Sequence, residues 1–285
     1  MEFRKERIRK RINMELTKKE MAYLELYKGL DEGVEYLHPE ANKDFRWFYG
    51  MEYNYRNINS FLSFIFSKEP KLLEHINIIY LDNIMDMIFT ISDVACRYAL
   101  ENPVMPYHLY RMENRNNLNN YGEGGMTTSF KSTSKSNSEI TVFQEDNSIA
   151  LTFDTEGYVP YIDVDRIVRT SVFSDEKEIL FPPCVGGSFT GIEEEQHGIH
   201  FTGVQLYDEF NESDYIDPES NRQLYEQIKK DFLKELDECK KTGEVSDNLR
   251  TYCSVVSSYI YANLRQMYNK YAKVYTEQNS QGFTK

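Results

Sequence analysis

The spacing of apolar residues changes twice along the chain, and this double change constrains the fold more than any composition figure. Up to about residue 100, apolar side chains recur at helical spacing: Met21, Leu24, Tyr27 and Leu30, then Tyr55, Ile58, Phe61, Leu62 and Phe64, then a run over 79–100. Such a repeat turns one face of a helix toward a core. Pro70, Pro103 and Pro106 fall between or after these runs, where a ring that removes a backbone donor stops a helix. From Pro106 to about Phe210 the runs become short: His108–Met112, Ile140–Phe143, Ile149–Phe153, Ile162–Val168, Glu178–Phe181 and His200–Tyr207. Gly122, Gly124, Gly125, Gly157, Pro182 and Gly186 separate them, which is the pattern of a β-rich unit. The stretch Lys131–Ser138, rich in Ser, Lys and Asn, reads as a mobile loop.

Helical spacing then returns. Asp217-Pro218-Glu219 predicts a helix start, Leu224, Ile228, Phe232 and Leu236 its buried stripe, and Gly243 its C-terminal end. A longer helix follows Ser246. Its seam of Leu249, Cys253, Val256, Ile260, Leu264, Met267, Tyr271 and Val274 must pack on the rest of the chain or on a second copy. The polar residues 276–285 read as a frayed end. The expected class is α+β: a helical N-terminal lobe over 1–105, a β-rich core over 106–210 and a C-terminal helical extension over 211–285.

Hydrophobic residues make up 40% of the 285, enough for a well-buried core. The formal net charge of -13 repels phosphate backbones and argues against a nucleic-acid partner. Residues 1–13 are locally basic through Arg4, Lys5, Arg7, Arg9, Lys10 and Arg11; a solvated helix face accounts for that more simply than a membrane or nucleic-acid contact. No signal peptide is seen, because no apolar stretch follows the basic start. No membrane span is expected either: the greasiest stretch, 76–91, is broken by Asp82, Asn83 and Asp86. The expectation is a protein that is cytoplasmic or delivered to a target-cell cytoplasm. Cys96, Cys184, Cys239 and Cys253 fit no zinc spacing and read as reduced, non-catalytic thiols.

The chemistry-bearing candidates are weak one by one. Glu176-Lys177-Glu178 precedes Ile179-Leu180-Phe181-Pro182. In an extended chain two such carboxylates share a face roughly 6.5–7 Å apart, the kit for splitting a glycosidic bond through a cationic sugar. Among 46 acidic residues, a solvated edge is the plainer reading. Arg111 closes the short strand pattern Tyr107-His108-Leu109-Tyr110-Arg111 and suits a bidentate grip on a diphosphate, or is an ordinary edge-strand arginine. Thr127-Thr128-Ser129 follows a Gly-rich run and can position a glutamate, or is a plain Thr-rich strand. Glu193-Glu194-Glu195 with His197 and His200 lacks metal-ligand spacing and reads as loop chemistry. Gly122-x-Gly124-Gly125 has neither P-loop nor Rossmann spacing.

Their order is more telling. An aromatic-Arg at 110–111, Thr-Thr-Ser at 127–129 and Glu-x-Glu at 176–178 occur in that sequence within one β-rich segment. This resembles the Arg–Ser-Thr-Ser–Glu class of mono-ADP-ribosyltransferases, in particular the bacterial exoenzyme-toxin branch, over roughly residues 45–205. Tyr55-Arg56-Asn57-Ile58-Asn59-Ser60-Phe61-Leu62 is similar to that branch's Y-x-x-I-N-x-x-L helix, and Glu178-Ile179-Leu180-Phe181-Pro182 to its E-V-L-L-P strand. Leu81-Asp82 resembles the segment before the arginine strand. Two departures stand out: Thr127 takes the place usually held by Ser, and Met112 that of a common Gly. No clear counterpart follows for a further phosphate-binding arginine, and Lys131 and Lys135 are stand-ins.

The resemblance implies a split β-sandwich around an NAD cleft, NAD as co-substrate and no metal. It implies that Arg111 holds a phosphate and the nicotinamide-side ribose, and that Thr127 bonds near that ribose and to the catalytic glutamate, with Thr128 and Ser129 shaping the cleft. Glu178 would bond the ribose 2′-hydroxyl and stabilise the oxocarbenium. Glu176 and Phe173 would receive the acceptor, and Tyr55 and Asn59 would line the cleft. The Glu-x-Glu form implies an arginine on a target protein as acceptor. The rivals are an NAD glycohydrolase and an inactive binding module. Residues 211–285 recognise the target, bind an immunity or regulatory partner, or cap the fold.

Overall fold

Residues 14–30, 32–103, 108–114, 127–140, 147–155, 158–168, 177–185, 191–195, 198–204 and 217–280 are described in a computed structural model. Helix α1 (Lys18–Tyr27) opens on a reciprocal cap: the Thr17 hydroxyl accepts from the Glu20 amide and the Glu20 carboxylate accepts from the Thr17 amide. Two short helices follow, α2 (Val34–Leu37) and α3 (Arg46–Glu52). Helix α4 (Tyr55–Ser67) starts at Asn54, whose side chain accepts from the amides of Arg56 and Asn57. Helix α5 (Leu81–Glu101) buries Ile84, Ile88, Ile91, Val94, Ala95 and Tyr98. Polar contacts clip α1 onto α5: Lys19 to Asp86 at 2.6 Å, the Tyr23 hydroxyl to Asp86 at 2.6 Å and Arg97 to Glu20 at 2.5 Å. They fix where the C-terminal end of α1 points.

The middle of the chain forms β1 (Leu109–Asn114), β2 (Lys131–Ser134), α6 (Asn137–Ile140), β3 (Ser148–Thr155), β4 (Ile162–Asp163), α7 (Val164–Ile167), β5 (Glu178–Phe181), β6 (Gly191–Glu195) and β7 (Gly198–Val204). The strands lie in one hydrogen-bonded order, β4-β5-β2-β1-β3-β7-β6. The β3–β7 pair is parallel and the others are antiparallel. The fold is thus mixed α+β, with helices ahead of and behind the sheet in sequence.

Three local expectations are corrected. The stretch Lys131–Ser138 is not a loop: it supplies β2 and the start of α6. Its polarity misleads because the hydroxyls are used internally, Thr133 donating to the Ile179 carbonyl at 3.0 Å and Ser134 accepting from the Ser136 amide at 3.1 Å. The run Ile162–Val168 is a two-residue strand followed by the helical turn α7. That turn brings Arg166 within 3.1 Å of Asp163, a pairing three residues apart that a strand cannot make. Glu193-Glu194-Glu195 lies on β6, the last strand in the order, and an edge strand tolerates charge.

The C-terminal part follows its caps. Helix α8 (Pro218–Thr242) has Asp217 accepting from the Glu219 amide, and it stops at Gly243 with φ +72°, a conformation glycine adopts without strain. Helix α9 (Asp247–Ser280) turns Leu249, Cys253, Val256, Ile260 and Leu264 inward against α8, α5 and α4. The seam therefore packs within the chain. Residues of all three parts share one hydrophobic cluster. Among the described residues no helix is long and apolar enough to cross a membrane.

Candidate active site

Strands β5, β2 and β1 are neighbours. The β2–β5 register sets Ser134 across from Glu178, and the β1–β2 register sets Tyr110 across from Ser134. One row across the sheet therefore reads Tyr110, Ser134, Glu178. Lys177, just before β5, has φ +51°, a left-handed conformation uncommon for a residue with a Cβ and often found at functional sites. The Glu178 amide donates to Asp165 Oδ2 at 3.0 Å. Burial raises the Asp165 carboxyl above its usual range; the charges of Asp163 and Glu178 add to this, while Lys135 and the Glu178 amide oppose it.

The Glu178 carboxylate is buried, with a side chain 5% exposed, and meets Lys28 Nζ at 2.5 Å. Lys28 caps the C-terminal end of α1. Its neighbour Tyr27 is buried, with its ring 5.2 Å from Phe130 and 6.3 Å from Tyr55 between centroids. Burial pushes the Tyr27 phenol well above its ordinary range. The charge of Glu178 adds to that push, while a hydrogen bond from Asn59 and the charge of Arg111 work against it. Asn59 also accepts from the Phe130 amide at 3.0 Å. Helices α1 and α4 are thereby tied to the strands that carry the candidate residues. Tyr55, on the first turn of α4, is 44% exposed and presents a ring to solvent at this edge.

On β1, Arg111 Nε donates to Glu113 at 3.0 Å and Nη1 to the Ser132 carbonyl at 2.7 Å. Lys131 Nζ lies 3.8 Å from the same Glu113 oxygen. Burial first, and the charge of Arg111 second, bring the Lys131 ammonium down to about 8, against the pull of Glu113. Two cations converge there on one buried carboxylate.

Thr127, Thr128 and Ser129 precede β2. The Thr127 hydroxyl accepts from the Val185 amide at 3.1 Å and faces the carbonyls of Pro182 and Val185 at 3.3 and 3.4 Å, while its carbonyl accepts from Cys184. This threonine ties down the turn after β5. Phe173 and Glu176 lie outside the described residues, as do Gly122–Gly125 and His197. Among the described residues no group of His, Cys, Asp and Glu is arranged to hold a metal. All four cysteines are free and buried; burial pushes the Cys184 and Cys253 thiols up to about 12, away from nucleophilic use.

The sequence reading missed Tyr27, Lys28, Asp165 and the hydroxyl set on β2. The last had a local trace: Ser132-Thr133-Ser134 spells Ser-Thr-Ser. The Lys, Ser and Asn around it give that stretch the composition of a loop. Lys28 and Asp165 have no local signal, since their meaning arises from a contact with Glu178 made 150 residues away for Lys28. Chemically these neighbouring strands carry a buried carboxylate, Glu178, able to stabilise a cation, and the cations Arg111 and Lys131, able to hold an anion.

No known protein-family profile matches the chain, and no curated protein matches it. Among solved structures it is similar to Vis toxin, an ADP-ribosyltransferase from Vibrio splendidus, at 15% identity and TM-score 0.31, covering 70% of this chain and 91% of that one. It is similar to the ADP-ribosyltransferase HopU1 of Pseudomonas syringae pv. tomato at 10% identity and TM-score 0.37, covering 68% and 99%. C3stau2 from S. aureus, solved with NAD, aligns at 12% identity and TM-score 0.33, covering 53% and 87%.

Proposed function

We propose that the chain is a mono-ADP-ribosyltransferase that breaks the nicotinamide–ribose bond of NAD and transfers ADP-ribose to a protein side chain, an arginine in the first instance. The observation that carries this reading is the adjacency of β1, β2 and β5: Arg111, Ser132-Thr133-Ser134 and Glu178 stand on three neighbouring strands, with Ser134 across from Glu178. That is the order of the family's three motifs, with the literal Ser-Thr-Ser of β2 taking the place first given to Thr127-Thr128-Ser129.

In the proposed reaction the C1′–N bond breaks and nicotinamide leaves with the bonding pair, so the ribose carries positive charge. Glu178 stabilises that charge and accepts from the 2′-hydroxyl, the kind of fixed electrostatic contact that accounts for most of many enzymes' acceleration. Arg111, with Lys131 beside it, holds the diphosphate. Tyr55 and Asn59 line the cleft. Glu176 and Phe173 receive the acceptor; a carboxylate there attracts the guanidinium and takes the proton it loses on forming the new C–N bond. Hydrolysis, with water as acceptor, needs Glu178 but not Glu176.

A paired assay tests this, measuring nicotinamide release in buffer and label transfer from NAD to protein in lysate. Glu178→Gln should lower both by about a hundredfold or more. Glu176→Gln should lose transfer and keep hydrolysis. Near-normal turnover in Glu178→Gln would remove the catalytic assignment; release from wild type without transfer would make the protein a glycohydrolase, and no release at all a binding module.

A further inference from the structure

We infer that Lys28 is the counter-ion that keeps the buried Glu178 charged and aimed, and so is a positioning residue of the reaction rather than a helix-end lysine. The inference rests on the reading of Glu178 as the catalytic carboxylate. A glutamate that must oppose a cationic sugar is useful only when ionised, and burial favours its neutral form. Here the side chain is 5% exposed and Lys28 Nζ, itself 10% exposed in its side chain, stands 2.5 Å from it.

The groups that face Glu178 from each packed element make Lys28 decisive. From α7 comes Asp165, a like charge whose carboxylate is occupied with the Glu178 amide and whose repulsion opposes ionisation. From α1 comes Tyr27, neutral because burial raises its phenol, and from α4 the uncharged Asn59 beyond it. Across the pairing on β2 stands Ser134, also uncharged. Arg111 on β1, whose charge also reaches Tyr27, is engaged by Glu113 and the Ser132 carbonyl. Lys177, on the same chain segment, is turned toward Glu139 at 3.5 Å. Among the described residues, the ammonium in contact is that of Lys28.

A purely anchoring role is already filled. Lys19, Glu20 and Tyr23 hold α1 to α5 by short contacts upstream of Lys28. Lys28 extends past the last turn of α1 and spends its charge on the carboxylate the sheet presents.

The test has two readings, one independent of catalysis. The ionisation midpoint of Glu178 is followed by carbon-13 NMR of glutamate-labelled protein, assigned with Glu178→Gln, in wild type and in Lys28→Gln, Lys28→Met and Lys28→Arg. Nicotinamide release from NAD is measured on the same proteins from pH 5 to 9. Removing an adjacent opposite charge should raise the midpoint by about one pH unit or more in Lys28→Gln, and the acid limb of kcat/KM should move with it. Turnover then falls most at the acid end of the range and recovers toward pH 9, while Lys28→Arg keeps the wild-type limb. If Lys28→Met does not fold, Lys28→Gln and Lys28→Arg carry the comparison. An unchanged midpoint in Lys28→Gln overturns the inference, whatever happens to stability, because a mere anchor moves the unfolding curve and not the titration. Higher turnover across the whole range also overturns it, since Lys28 would then be restraining the carboxylate. If Glu178→Gln keeps its turnover while the Glu178 midpoint still follows Lys28, the catalytic reading of Glu178 fails separately from the counter-ion.

Discussion

Lys131 shows what a single residue in this sheet can report. Its ammonium sits 3.8 Å from Glu113 and, through burial and the neighbouring Arg111, titrates at about 8 instead of the ordinary lysine range. The sign of the linkage follows from which form an anion prefers. A diphosphate stabilises the protonated form, so the pKa rises on binding, binding takes up protons above about pH 8, and affinity falls as pH rises through that value. Calorimetry with NAD at pH 7 and pH 9, in buffers of different ionisation enthalpy, should show roughly tenfold weaker binding at the higher pH together with proton uptake. Equal affinities with no uptake would take Lys131 out of the anion site.

At the scale of the element, the question is which hydroxyl set serves the glutamate, and stability and activity separate the two. The Thr127 hydroxyl is committed to the backbone at 182–185. Thr127→Val should therefore leave the Val185 amide without that acceptor and lower stability by about 1–3 kcal/mol, seen in urea unfolding, with little change in turnover per folded molecule. Ser134 lies in register with Glu178, so Ser134→Ala should lower nicotinamide release several-fold with a smaller shift in the unfolding midpoint. The reverse pattern would return the Ser-Thr-Ser role to Thr127-Thr128-Ser129. The α9 helix contributes at this scale too: the Tyr268 hydroxyl donates to the Pro183 carbonyl at 2.6 Å. Both Thr127 and Tyr268 thus fasten the turn that follows the glutamate strand.

For the whole molecule, the C-terminal extension is part of the core. Phe232, Leu236, Leu249, Val256, Ile260, Leu264 and Tyr268 are fully buried in the cluster that also holds α4, α5 and the sheet. Burying each such side chain is worth about 1.5–3 kcal/mol, so together they contribute on the order of 10–21 kcal/mol, as much as the roughly 5–15 kcal/mol by which a whole domain is stable. A chain ending at residue 216 should show no cooperative thermal transition. A sharp transition with retained NAD binding would mean that 217–285 is a separable module, open to serve a partner alone.

Much of the fold was legible in the sequence because its signals are local. Helical spacing marked α1, α4, α5, α8 and α9, and Asp217, Pro218 and Gly243 bounded α8 through backbone chemistry that depends on near neighbours. Short apolar runs marked β1, β3 and β5. The order of Arg111 and Glu178 pointed to the chemistry through a resemblance rather than through spacing. What the sequence could not decide is set by long-range pairing. A polar four-residue segment, Lys131–Ser134, becomes a central strand because β1 and β5 supply partners for its backbone on either side. The Thr133 hydroxyl then finds an acceptor, the Ile179 carbonyl, that no local window of sequence contains. Lys28 is the clearest case: a lysine at the end of an amphipathic helix is unremarkable until the sheet delivers a buried carboxylate to it. The charge on one side chain is written locally, whereas the field it meets belongs to the tertiary structure.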